Sequence, residues 1–144
     1  MMYLTPPDDF YPKFDVILCF CEWNGKVILL QRQKGKPQEG EWGVPAGKVN
    51  PGEPLTIAAK RELCEETGLD LPEERFTLIS TIYQKYPALD FVAHLYKIML
   101  DREVEIQLAP LEHVDYTWIA PSELESLNHM QDLDEVFKIV FPAS

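Results

Sequence analysis

The chain has 144 residues and a formal net charge of −11 at pH 7, from 24 acidic and 13 basic side chains. That balance argues against an electrostatic grip on nucleic-acid polymers, and the most apolar run, Val16 to Cys21, is far too short to span a membrane. The length fits one domain over residues 1–144, able to bury roughly two thirds of its unfolded surface.

The opening residues, MMYLTPPDDFYP, lack the basic-then-apolar build of a secretion signal, which points to the cytoplasm. With three prolines they read as an irregular lead-in or edge segment. Phe14 to Trp23 is rich in β-branched and aromatic residues and reads as a strand; Asn24-Gly25 is a hairpin turn leading to a second strand, Lys26 to Gln31. The polar segment Arg32 to Glu41 follows, with Arg32, Lys34 and Lys36 as the one basic cluster of an acidic chain. These are either solvated loop charges or a reach toward substrate phosphates, where arginine offers a fork and lysine a point charge.

The stretch Gly47 to Leu69, GKVNPGEPLTIAAKRELCEETGL, predicts a helix of about three to four turns. Pro54 suits its first turn and Gly68 the left-handed position after its last. Glu62, Glu65 and Glu66 fall at i, i+3 and i+4, so their carboxylates leave one face as neighbours, with no lysine among them. Clustered carboxylates are hard oxygen ligands of the kind Mg²⁺ or Mn²⁺ prefers; a solvated acidic face is the plainer alternative for an isolated E-x-x-E-E.

Downstream, Phe76 to Tyr83 and Asp90 to Leu100 read as strands around a loop at Gln84 to Leu89. Val104 to Gln107 and Thr117 to Ala120 read as short strands, Pro121 to Leu127 as a helix start, and Asp132 to Val140 as a final helix whose Leu133, Val136, Phe137 and Val140 should pack on the sheet. Strands flanked by helices imply an α/β layered sandwich with a mixed sheet. The three cysteines, Cys19, Cys21 and Cys64, are odd in number, lack metal-site spacing and read as small buried hydrophobes. His94 reads as a core or edge histidine.

Gly47, Glu53, Arg61, Glu62, Leu63, Glu65, Glu66, Gly68 and Leu69 fill the pattern G-x5-E-x7-R-E-Leu-x-E-E-x-G-Leu. This resembles the complete signature of the Nudix hydrolases: nine positions over twenty-three residues, in a loop-helix-turn context. Ala46 stands where many relatives carry a second glycine, outside the defining positions. The resemblance implies an α/β/α sandwich with a mixed central sheet, and a metal-dependent pyrophosphohydrolase that cleaves a nucleoside diphosphate linked to another group. A (deoxy)nucleoside triphosphate, split to the monophosphate and pyrophosphate, is the first candidate. A diadenosine polyphosphate, ADP-ribose or a nucleotide sugar is the alternative, and a non-catalytic nucleotide-sensing domain is a reading of another class, expected to have lost signature carboxylates.

By the same resemblance, one to three Mg²⁺ or Mn²⁺ ions are held by Glu62, Glu65, Glu66 and the Gly47 carbonyl, with Glu53 positioning Arg61 and Arg61 orienting the carboxylates. Lys48 follows Gly47, where a basic residue lies beside the phosphates in the family. The general base comes from the signature helix, with Glu62 first, or from a later loop, where Glu112 is the candidate for metal or base work and Asp115 its reserve; His113 reads as structural. Substrate contacts fall to Arg32, Lys48, Tyr86, Asn128 and Asp132. Tyr86 resembles the placement of a tyrosine in diadenosine-polyphosphate hydrolases, while Asn128 and Asp132 either read a guanine edge or simply cap the last helix. The partner expected is a small nucleotide, with no nucleic-acid polymer and no membrane, and the chain is a monomer or homodimer.

Overall fold

β-Branched and aromatic runs, too apolar to sit in water, assemble around one long strand. The computed structural model describes residues 1–142. Its elements in chain order are β1 (Met2–Tyr3), β2 (Pro12–Trp23), β3 (Lys26–Arg32), β4 (Trp42–Gly43), β5 (Ala46–Lys48), α1 (Leu55–Thr67), β6 (Phe76–Lys85), β7 (Asp90–Met99), β8 (His113–Ile119) and α2 (Leu133–Val140), with 3₁₀ turns at Glu73–Arg75 and Pro121–Ser126. The strands form one sheet in the order β1-β6-β7-β2-β3-β4, with β5 also paired to β2 and β8 to β3. β2 runs parallel to β7 and antiparallel to β3 and β5, so the sheet is mixed.

Alternation along β2 divides the core. Ile17, Cys19 and Cys21 face one side, where they meet Ala58, Ala59 and Leu63 of α1 together with Tyr96 and Ile98 of β7. Phe20 faces the other, with Ala93 and Leu95 of β7, against Leu133, Val136, Phe137 and Val140 of α2. The period of two thus gives both faces of the sheet a helix to bury. Each fully buried Leu, Ile or Phe is worth about 1.5–3 kcal/mol relative to exposure, so these layers hold the two helices in place. No helix among the described residues is long and apolar enough to cross a membrane.

Asn24 (φ 52°) and Gly25 (φ 77°) both adopt the left-handed region that a tight hairpin turn requires. α1 ends as its sequence implies, Gly68 at φ 78° donating its N–H to the Cys64 carbonyl at 2.9 Å. Pro54 lies just outside the helix rather than in its first turn, in extended backbone, its carbonyl accepting the Ala58 N–H. Other expectations change more. Val104 to Gln107 forms no strand, and its Gln107 N–H bonds instead to the Thr67 carbonyl at the end of α1. The helix start expected at Pro121 to Leu127 is a 3₁₀ turn over Pro121–Ser126, β6 runs on through Gln84 and Lys85, and β8 begins earlier, at His113. Cys64 is exposed, unlike buried Cys19 and Cys21, because it lies on the outer side of α1.

Candidate active site

β5 is only three residues long, but its pairing with Val16, Ile17 and Leu18 of β2 lays it across the face of α1. There the missing side chain of Gly47 is a spatial requirement, since a Cβ at this position would run into the carboxylate of Glu62. Any other residue would drive Glu62 or the strand aside.

Arg61 organises the carboxylates around it. Its Nε and Nη2 donate to the two oxygens of Glu53 at 2.9 and 3.0 Å, its Nη1 to Glu62 Oε1 at 2.7 Å, and its Nη2 also to the Lys48 carbonyl at 3.0 Å. Glu53 receives a third bond, from the Asn50 N–H at 3.0 Å. The guanidinium hydrogen bonds come first, and with the Asn50 N–H they hold the Glu53 carboxyl down at about 2. Glu65 is looser, 57% exposed and 3.5 Å from Arg61 Nη1.

Glu66 points inward. It is buried, and its Oε1 accepts the Ala46 N–H at 3.1 Å. Burial raises its carboxyl to about 8 despite that bond, with the charges of Glu62 and Glu112 adding to the rise. The Glu62 carboxyl is raised too, chiefly by burial. Among the described residues, no three His, Cys, Asp or Glu side chains converge closely enough to hold a metal ion as they stand. Glu62 is turned to Arg61, Glu66 to Ala46, and Glu112 to other cations. The donor chemistry nevertheless fits a hard divalent ion: a partly exposed and two desolvated carboxylates share one helix face beside the β5 backbone, and a cation there would offset the cost of burying Glu66.

Beyond Glu66 a small cleft is lined by Leu30, Arg32, Gly43, Val44, Ala46, His113 and Met130. Glu112, next in the chain to His113, pairs with the cleft's Arg32, its Oε2 3.4 Å from Arg32 Nη1, and has Oε1 3.3 Å from Lys36 Nζ. His113 is buried with Nδ1 unpartnered, and burial followed by the Arg32 charge lowers its pKa to about 4. The structure thus brings Glu112 near the signature helix, whereas Asp115 is exposed on β8, its Oδ1 accepting the N–H of Tyr116.

The outer candidates gather elsewhere on the sheet. Tyr86 donates its hydroxyl to Asp132 Oδ2 at 2.8 Å and accepts from Gln84 Nε2 at 3.0 Å, which joins two residues whose sequence resemblances point to different substrates. Asp132 stands at the start of α2 but makes no side-chain cap, having φ 67° and its carboxylate on Tyr86. Asn128 is held through its backbone, its carbonyl accepting the Trp42 N–H at 2.8 Å, and it too caps nothing. Lys48 is exposed, with Nζ 4.3 Å from the centre of the Phe14 ring. Phe14 in turn stacks on Phe91 (5.6 Å, 10°), and Tyr86 tilts against Phe91 at 5.8 Å. Phe14 and Phe91 were missed from sequence, where an aromatic in a strand signals only the strand; the signal available was their flanking position at strand starts. His94 is buried between Thr81 Oγ1 at 2.9 Å and Asp15 Oδ2 at 2.8 Å, a satisfied core histidine.

Comparison with known proteins gives a consistent account. A family model described as NUDIX domain matches residues 12–138. Among curated relatives, the CTP pyrophosphohydrolase of Escherichia coli (strain K12) is 39% identical over 56 residues, covering 39% of this chain and 42% of that protein. The 8-oxo-dGDP phosphatase NUDT18 of Homo sapiens is 38% identical over 65 residues, 45% of this chain and 19% of that protein. The matched segments therefore span less than half the length of these relatives. Among solved structures, a MutT NUDIX hydrolase from Burkholderia pseudomallei superposes with a TM-score of 0.77 at 27% identity, over 88% of this chain and 97% of that one.

Proposed function

The chain belongs to the Nudix domain family, and from that premise we propose that it acts, as one domain, as a metal-dependent pyrophosphohydrolase. It hydrolyses a phosphoric anhydride bond in a nucleoside diphosphate linked to another group, foremost a (deoxy)nucleoside triphosphate, releasing the monophosphate and pyrophosphate. The observation that carries this reading is the braced cluster on α1: Glu53 holds Arg61, Arg61 holds Glu62, and Glu66 lies buried beside the β5 backbone. A non-catalytic sensing domain would have no need to keep all these carboxylates. The relatives' names, a CTP pyrophosphohydrolase and an 8-oxo-dGDP phosphatase, support phosphoric anhydrides of nucleotides as the substrate class.

Glu62, Glu65, Glu66 and the Gly47 carbonyl are the groups that would hold one to three Mg²⁺ or Mn²⁺ ions, with Glu112 able to join them. A divalent ion so held neutralises phosphoryl charge and acidifies a bound water. The chain's own part is to aim and desolvate. Arg61 and Glu53 fix the direction of Glu62, which takes the proton of the attacking water as general base, in keeping with a carboxyl raised by burial. Lys48 and Arg32 meet the phosphates. Tyr86, with the Phe91 and Phe14 rings it leads to, supplies an aromatic wall for a base, and Asp132 and Asn128 supply polar edges.

The test is turnover in Mg²⁺ of a panel of nucleoside triphosphates, dinucleoside polyphosphates, nucleotide sugars and ADP-ribose, with products identified. Hydrolysis of at least one member is expected, and Glu66→Gln should remove most of the rate. No metal-dependent turnover of any member would sink the enzyme reading, and full activity in Glu66→Gln would sink the site.

A further inference from the structure

Arg32, Lys34 and Lys36 lie close together in sequence, yet only two of them converge on one carboxylate. The β3–β4 loop is folded back on itself: the Arg32 N–H bonds to the Glu41 carbonyl at 3.0 Å and the Gly40 N–H to the Arg32 carbonyl at 3.1 Å, with Gly35 at φ 87° and Gly40 at φ 79° making the bends. Gln33 ties this loop to the segment before β8, its N–H to the Glu112 carbonyl at 2.9 Å and its Nε2 to the Pro110 carbonyl at 3.0 Å. Lys36 and Arg32 are thereby brought to opposite oxygens of Glu112, whereas Lys34 forms no ion pair among the described residues.

We propose that Lys36, with Arg32, receives the free terminal phosphate of a nucleoside polyphosphate, and that Glu112 is the displaceable counter-ion occupying this place until such a substrate arrives. Two cations on one carboxylate leave a local net positive charge, and one of the two, Arg32, lines the cleft that Glu66 also lines. The contacts, 3.3 and 3.4 Å, are longer than the 2.7–2.9 Å of tight charge-assisted bonds. Glu112 is 42% exposed, so solvent already competes for it. A terminal phosphate offers three oxygens and up to two charges against the carboxylate's two oxygens and one, so it takes the cations by exchange. The proposal rests on the pyrophosphohydrolase reading and narrows it to substrates with a free phosphate end. In such a site Glu112 is released only when the correct substrate binds, which leaves it available at that moment for metal or base work beside Glu66.

The experiment is calorimetric binding of inorganic tripolyphosphate to metal-free protein in chelator, with thermal melts confirming that each variant folds. Lys36→Ala should weaken binding about tenfold and Glu112→Gln should tighten it about fivefold, with a smaller gain from Glu112→Gln in the Lys36→Ala background, where of the two cations Arg32 alone is left to be freed. ADP-ribose, whose two phosphates are each esterified and joined by an anhydride so that neither has a free end, should bind equally well to Lys36→Ala and native protein. Glu112→Gln binding tripolyphosphate no more tightly than native, or Lys36→Ala binding it equally well, would overturn the proposal. Equal weakening of both ligands by Lys36→Ala would overturn the assignment to a terminal phosphate. Since no turnover is read, these outcomes leave the pyrophosphohydrolase reading standing, and a failure of the nucleotide panel with tripolyphosphate binding intact would strike that reading alone.

Discussion

Glu53 and Glu112 each face an arginine, and they do different things. Glu53 is 12% exposed and gripped by both forks of Arg61 and by the Asn50 N–H, all at 2.9–3.0 Å. Glu112 is 42% exposed and divided between Arg32 and Lys36 at distances beyond 3.2 Å. A bidentate, partly desolvated pair sets a direction as well as a charge, whereas an exposed pair is worth about 0–1 kcal/mol and exchanges readily. The lesson is that residue type does not decide whether an ion pair is a brace or a placeholder. Geometry and water access decide.

The largest effect is expected at Gly47, which gives the brace its room. Gly47→Ala pushes a methyl into the Glu62 carboxylate, and a misplacement of that order costs about 10²-fold in turnover. Native-like kcat in this variant would show that the position of Glu62 against β5 is immaterial. A finer contrast sets Arg61→Lys against Arg32→Lys. The first loses the fork and should cost about 10–100-fold in metal affinity, read from Mn²⁺ titration by electron paramagnetic resonance. The second keeps a point charge next to Glu112 and should change substrate KM only a few-fold. Equal penalties would erase the distinction between brace and placeholder.

The smallest expected effect concerns stability, at a third carboxylate of opposite character to Glu53. Glu66 has its carboxyl raised to about 8 from 4.5, mainly by burial. A raised carboxyl costs the fold nothing below its ordinary value; as pH climbs from 4.5 toward 8 the unfolded chain ionises while the folded one holds its proton, so the metal-free protein loses stability progressively. Glu66→Gln keeps an acceptor for the Ala46 N–H and removes the charge. In chelator it should therefore melt several degrees above native protein at pH 8 and together with it at pH 4. A melting point lowered at pH 8 would mean that the Glu66 charge is compensated by the fold itself.

Much of this was legible in the chain because it is local. The left-handed turn at Asn24-Gly25, the glycine after α1 and the apolar positions of α2 each depend on neighbours within a turn or two. Glu53 and Arg61 are eight residues apart, within reach of a pattern. What escaped depends on distance or on shortness. β4 and β5 have two and three residues, too few for alternation to show. Arg32 and Glu112 are 80 residues apart and Tyr86 and Asp132 46, so nothing local announces their meeting. Val104 to Gln107 has strand composition, but its Gln107 N–H is drawn to α1 rather than to a strand. Cys64 was judged by the average habit of cysteine, and the outward face of α1 overrode it.

The parallel contact of β2 with β7 has a consequence for how the molecule comes into being. Ile17 lies beside His94 and Leu18 beside Leu95, so an early strand must wait for a late one, and parallel pairing always spans such an intervening crossover. Non-local closure of this kind is slow relative to helix formation. The Glu53–Arg61 contact can form while the chain is still largely open, but the floor beneath it and the cross-loop pair of Arg32 with Glu112 come together only when β7 and β8 arrive. Until then β2 displays an unpaired edge rich in Val, Ile, Leu and Phe, the form in which a nascent chain is most exposed to aggregation. Substitutions along the β2–β7 seam would thus be felt in yield and refolding rate even where the finished site is unaltered.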